Sequence, residues 1–104
     1  MREYLGRLLE ELERGGENVL ASRVSSALAG ADADVDAFVV SNDLWGGSGS
    51  IADQAGVGLR RASGRRAIET ALIELGDRQV QVGKVNLRTA MWVEVFKEWR
   101  RDGI

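Results

Sequence analysis

The sequence predicts an all-α fold: a small bundle of four main helices, with one or two short helices around a glycine-rich corner. Three observations predict it. Apolar residues recur at i, i+3, i+4 and i+7 through several long windows. Glycines separate those windows, and the chain holds no proline. Its 104 residues, 44% hydrophobic and 29% charged, suit one globular domain over residues 1–104 with a single modest core.

The first helix spans residues 3–14. Leu5, Leu8, Leu9 and Leu12 form its apolar stripe, and Gly15-Gly16 stops it. A second helix over 17–30 carries Leu20, Val24, Ala27, Leu28 and Ala31, with Asn18 or Gly16 as its cap. The two glycines between them imply an antiparallel hairpin. Residues 34–41 read two ways. Val35, Phe38 and Val39 fit a helical turn behind Asp34, while Phe38-Val39-Val40 fits a buried strand. A short helix over 51–56 opens on the capping box Ser50-x-x-Asp53. Residues 65–82 form a long helix on Ile68, Leu72, Leu75 and Val82. Gly76 inside it costs about 1 kcal/mol relative to alanine. The alternation of Val80 and Val82 offers a strand instead, so the alternative fold is α+β, with residues 35–40 pairing with 79–85. The last helix, 87–101, is capped by Asn86. Leu87, Met91, Val95 and Trp99 form its core stripe, widened by Trp92 and Phe96.

Composition removes several chemistries. There is no cysteine and no histidine. Thiolate nucleophiles, disulfides and the commonest acid–base group are therefore missing. The net charge of −2 supplies no global attraction for nucleic acid or an anionic membrane. The first residues are charged and lack an apolar signal segment, which points to a cytoplasmic protein. Lysine is confined to Lys84 and Lys97 beside many arginines, as in proteins of GC-rich bacteria.

Four constellations invite a functional reading. Trp45-Gly46-Gly47-Ser48-Gly49-Ser50 leads into a helix N-terminus, where amides can meet an anion. It lacks the lysine of a P-loop and the glycine spacing of a dinucleotide fingerprint. Its glycines also suit a tight corner, and Trp45 suits either the core or an interface. If Gly47 needs a positive φ or a close backbone approach, Gly47→Val should unfold the domain. Second, Asp32, Asp34, Asp36 and Asp43 hold the first, third, fifth and twelfth places of a calcium loop. Ala37 stands where that loop requires glycine, and Asp43 is shorter than the glutamate it requires, so capping is the expected role. Third, Arg60, Arg61, Arg65 and Arg66 form a cationic patch suited to an acidic partner, with no interleaved aromatics for stacking on bases. Fourth, Trp92, Phe96 and Trp99 form an aromatic stripe suited to the core or to a homodimer seam.

The segment Trp45, Gly46, Gly47, Gly49, Ser50, Ile51 and Asp53 resembles a G-G-x-G-S-x-x-D motif of small, uncharacterised bacterial helical domains. The resemblance implies a helical bacterial fold with a shared structural corner, near toxin–immunity systems. It supplies no catalytic residue.

The function expected from these observations is a non-catalytic protein-interaction or immunity-like module with an unidentified protein partner. No cofactor, metal, nucleic acid or membrane partner is expected. Its candidate binding residues are Asp43, Trp45, Gly46, Gly47, Ser48, Gly49, Ser50, Asp53, Arg60 and Arg61. The alternative is a regulator that holds an anion or small ligand at the Ser48–Asp53 amides. A carboxylate enzyme using Asp43 and Asp53 ranks last, and would require the two acids to converge in a pocket.

Overall fold

A computed structural model describes residues 1–57 and 62–103. Its helices are α1 (Arg2–Arg14), α2 (Asn18–Leu28), α3 (Asp32–Val39), α4 (Asn42–Trp45), α5 (Ile51–Val57), α6 (Ala62–Val82) and α7 (Thr89–Asp102). Among the described residues there is no strand, so the fold is all-α and the α+β alternative is overturned. No helix among them is long and apolar enough to cross a membrane.

α1 lies between α2 and α6, α6 packs on α7, and α4 and α5 form the corner that closes the bundle. Leu5, Leu8 and Leu12 of α1 are buried as their spacing predicts. The chain leaves α1 through a Schellman turn. The Glu17 amide donates to the Leu12 carbonyl (2.9 Å) and the Gly16 amide to the Glu13 carbonyl (3.0 Å). Gly16 has the positive φ, 75°, that this turn requires. Arg2 fastens the start of α1 to the α2–α3 connection, reaching Asp32 (2.6 Å) and the carbonyls of Leu28 (2.8 Å) and Gly30 (2.6 Å).

The strand alternative over 35–40 is overturned: residues 35–39 lie in α3 with Val40 as its C-cap, and Val35 and Val39, four residues apart, both face the core. Asp34 reaches back to the Ala31 amide (2.8 Å) rather than capping from its own position. Ala31 therefore starts α3 and does not extend the α2 stripe.

The C-terminal helix is turned relative to its expected face. Thr89, Val93 and Phe96 are buried, and Trp92 and Trp99 pack beside them. Trp92 stacks on Phe96 with centroids 5.5 Å apart, and Trp99 meets Phe96 edge-on at 5.8 Å. Leu87 and Met91 point outward. Two overlapping apolar stripes satisfy helical spacing here, and Gly76 selects between them. A Cβ on Gly76 would run into Val93 and lie 3.2 Å from the Trp45 ring. The absence of that carbon lets α7 press Val93 into α6. The aromatic stripe thus packs largely on the core, with Phe96 buried and Trp92 and Trp99 partly buried.

Candidate functional site

The glycine-rich corner is sterically determined, at a different residue from the one expected. α4 ends with the Gly46 amide donating to the Asn42 carbonyl (2.9 Å). A Cβ on Gly46 would collide with Asn42, whose Cα lies 2.6 Å and carbonyl oxygen 2.7 Å from it. Gly47 is exposed and has no positive φ. Its Cβ would meet only the Arg88 guanidinium, at 3.6 Å. The expectation for Gly47 is corrected accordingly. Gly47→Val should change stability by less than about 1 kcal/mol, while Gly46→Ala should cost about 2–3 kcal/mol through overpacking. Urea denaturation of the two variants checks the order.

The corner then uses its own polar groups. Ser50 Oγ accepts from the Asp53 amide (3.1 Å), as the capping box predicts. The Asp53 carboxylate accepts from the Gly49 amide (3.0 Å), one residue short of the expected Ser50 amide. The Ser50 amide donates to the Gly47 carbonyl (3.1 Å), and Arg23 donates to the Gly49 carbonyl (2.8 Å). Asp53 thereby places a resident carboxylate on the Gly49 amide, an amide the anion reading requires. The amides of Gly49, Ser50 and Asp53 are thus each engaged within the corner.

The predicted binding residues separate into four groups. Trp45 and Gly46 are buried, as is Ser50 at the start of α5. Trp45 is fully inside the core, so it cannot serve as an exposed anchor. Asp43, Gly47 and Ser48 are exposed. With Arg23, Asn42, Gly49 and Ser50 they line an open depression of about 480 Å³. Asp43 and Arg23 also border a second groove of about 640 Å³ between α2 and α3, floored by Ala27, Ala37 and Phe38. Asp53 is in neither of these two linings; its carboxylate is held on the Gly49 amide. Arg60 and Arg61 lie outside the described residues. Among those residues no group of three potential ligands could hold a metal ion. Asp32, Asp34 and Asp36 are engaged by Arg2, the Ala31 amide and Lys84 respectively.

Sequence reasoning missed the feature beneath this surface. Gln79 is fully buried, and every polar atom of its amide is used. Nε2 donates to the Val39 carbonyl (2.6 Å) and to the Lys84 carbonyl (2.9 Å), and Oε1 accepts from Trp45 Nε1 (3.0 Å). Trp45 Nε1 also reaches the Val39 carbonyl (3.0 Å). One glutamine therefore joins the end of α3, the corner tryptophan and the turn after α6. The only sequence signal was a polar residue in phase with the Leu72–Leu75 stripe.

That turn is held at several points. The Lys84 amide donates to the Gln79 carbonyl (3.0 Å), and Gly83 adopts φ 75°, ending α6 as Gly16 ends α1. Asn86 Nδ2 donates to the Val40 carbonyl (2.9 Å) and to Asn42 Oδ1 (3.0 Å). Asn86 Oδ1 accepts from the Arg88 amide (3.0 Å), and the Asn86 amide donates to Thr89 Oγ1 (3.0 Å). The expected cap at Asn86 thus acts on the turn that precedes α7, which begins at Thr89.

This hydrogen-bonded turn and its flanks display apolar side chains to solvent. Val80, Val82, Val85, Leu87 and Met91 are exposed, and Leu87 is exposed completely. Among the described residues the other large exposed apolar side chain is Val19, at the start of α2. The exposed apolar surface is therefore concentrated at one end of the α6–α7 hairpin. Val80 and Val82, which imitate a strand in the sequence, belong to it.

A buried acid lies at the other end of the hairpin. Glu69 is 1% exposed, and its Oε1 is 3.6 Å from Arg65 Nε. Neither atom has a hydrogen-bond partner among the described residues. Burial pushes the Glu69 carboxyl above its ordinary value of 4.5, and Arg65, Arg100 and Arg66 oppose that only in part. The fold thus holds the proton more tightly than the unfolded chain does. Its contribution to stability is complete below the ordinary carboxylate value and is lost as pH rises through the raised one. The melting temperature of Glu69→Gln should gain on that of the unsubstituted protein between pH 4 and pH 7, with both values about the carboxylate range and neutrality. A pH-independent difference between the two would contradict this.

Comparison with known protein families, curated proteins and solved structures returns no match to this chain.

Proposed function

We propose that this chain is a non-catalytic protein-interaction module whose docking face is the tip of the α6–α7 hairpin. The glycine corner and Gln79 brace that tip from within. The observation that carries this reading is Leu87, wholly exposed on a turn whose backbone is fixed by Gln79 and Asn86. An exposed leucine buries no apolar area in the fold, and a cluster of such residues marks an interaction surface. Fixing the turn beforehand lowers the ordering cost of binding. The resemblance of the corner to small bacterial domains near toxin–immunity systems is compatible with such a role. The lack of histidine and cysteine favours binding over catalysis.

A paired variant, Leu87→Ser with Met91→Lys, tests the reading. Both positions are exposed, so melting should shift by no more than a few degrees, since surface substitutions cost about 0.5 kcal/mol. Crosslinking in extracts of the native cells should lose the partners captured by the unsubstituted protein. Equal capture by both proteins would remove the tip as the docking face.

A further inference from the structure

The charges at the tip identify the chemistry of its partner. Residues 78–93 contain Arg78, Lys84 and Arg88 and no acid, in a chain whose net charge is −2. Lys84 is 3.6 Å from Asp36. Arg78 and Arg88 are exposed, and no carboxylate among the described residues lies within salt-bridge distance of either. Arg78 has only the neutral Gln81 Oε1 at 3.3 Å. The exposed apolar side chains thus stand among cations that internal ion pairs leave largely unneutralised.

We propose that the hairpin tip binds an acidic amphipathic protein segment, with apolar side chains seated on Leu87 and Met91 and carboxylates meeting Arg78 and Arg88. This rests on the reading of the tip as a docking face. Two features favour a protein segment over other occupants. A tip-to-tip pair of this chain would bring Arg78, Lys84 and Arg88 of both copies together, a like-charge arrangement that opposes self-association. The depression lined by Asn42, Asp43 and Gly47 adjoins the tip, through the Asn42–Asn86 hydrogen bond and the approach of Arg88 to Gly47. A folded or extended segment can follow such concave relief, whereas a lipid surface cannot. Guanidinium groups beside apolar side chains also suit carboxylates that approach with their own apolar neighbours.

Selection of a random displayed peptide library on the full chain tests this, followed by binding titrations with the enriched peptides. The expected peptides carry net negative charge and apolar residues. They should bind at least about tenfold more weakly to Arg78→Glu/Arg88→Glu, and should weaken between about 50 mM and about 300 mM salt. Leu87→Ser should weaken them similarly, and melting curves of the variants establish that the fold is intact. Should the double charge reversal disturb folding, Arg78→Glu alone gives the same readout at a position away from the turn. Neutral or basic peptides that still require Leu87 would overturn the acidic partner while leaving the docking face standing. Enrichment that never depends on Leu87 would overturn both. Sedimentation with phosphatidylserine vesicles but not phosphatidylcholine vesicles, in the absence of acidic peptide binding, would assign the tip to lipid instead. A concentration-dependent dimer abolished by Leu87→Ser would assign it to a second copy. Either result overturns the proposal.

Discussion

Gly76→Val is expected to lower the unfolding free energy by about 4 kcal/mol or more, a large share of the ~5–15 kcal/mol typical of such domains. Gly76→Ala should lose about 2 kcal/mol. Two effects compete at this site. Alanine improves helix propensity by about 1 kcal/mol over glycine. Its Cβ, however, would run into Val93 Cγ2 and approach the Trp45 ring to 3.2 Å, with Thr89 Cγ2 at 3.5 Å. All three neighbours are buried, so none can swing into solvent. A β-branched side chain in a helix has one strongly preferred rotamer, so Val93 cannot move aside cheaply. Steric strain therefore outweighs propensity. A double-mutant cycle decides the cause: Gly76→Ala with Val93→Ala should cost less than the sum of the single variants, by about 1 kcal/mol or more. Strict additivity would show that Gly76 and Val93 are not in contact.

Gln79→Leu is expected to cost about 2–3 kcal/mol, and Gln79→Glu more than that at neutral pH. Leucine fills much of the volume but removes both amide donors and the acceptor for Trp45. Trp45 Nε1 retains the Val39 carbonyl, which limits the loss, while the Lys84 carbonyl loses its side-chain donor. Glutamate would instead turn a carboxylate oxygen toward the Val39 and Lys84 carbonyls, which now face the two amide hydrogens. That buried charge raises the glutamate's folded pKa, so its penalty should shrink as pH falls toward the ordinary carboxylate range. Denaturant unfolding across pH measures both variants. Hydrogen exchange should also quicken at residues 83–88 in Gln79→Leu, because the turn loses one of its attachments to the core. Unchanged protection there would separate Gln79 from the rigidity of the tip.

The outline of α1 was legible because its signal is local. Leu5, Leu8 and Leu12 share one face whatever they pack against, and glycine at position 16 supplies the positive φ for the stop. The same holds for Ser50 and Asp53, whose hydrogen bonds span only a few residues. At residues 35–40 and 79–82, β-branched residues fit a strand or a helix equally well in isolation. Their helical state depends on which side chains the neighbouring helices receive. The candidate site was legible only in part. The corner was visible from its glycines, of which Gly46 is crowded by Asn42 four residues back and Gly49 has φ 86°, while the need for glycine at 76 comes from Val93 and Trp45, which arrive only by folding.

The sequence by itself determined the helical periodicities, the glycine stops and the absence of thiol and imidazole chemistry, because each of these is a property of residues adjacent or a few turns apart. Only the tertiary structure decided that α7 would bury Val93 and Phe96 and leave Leu87 and Met91 in solvent. It also decided that Gln79 would fasten Trp45, Val39 and Lys84 together. The physical reason is that burial and hydrogen-bond satisfaction belong to pairs of elements, and a helix with two apolar stripes is assigned its inner face by the shape of the helix it meets.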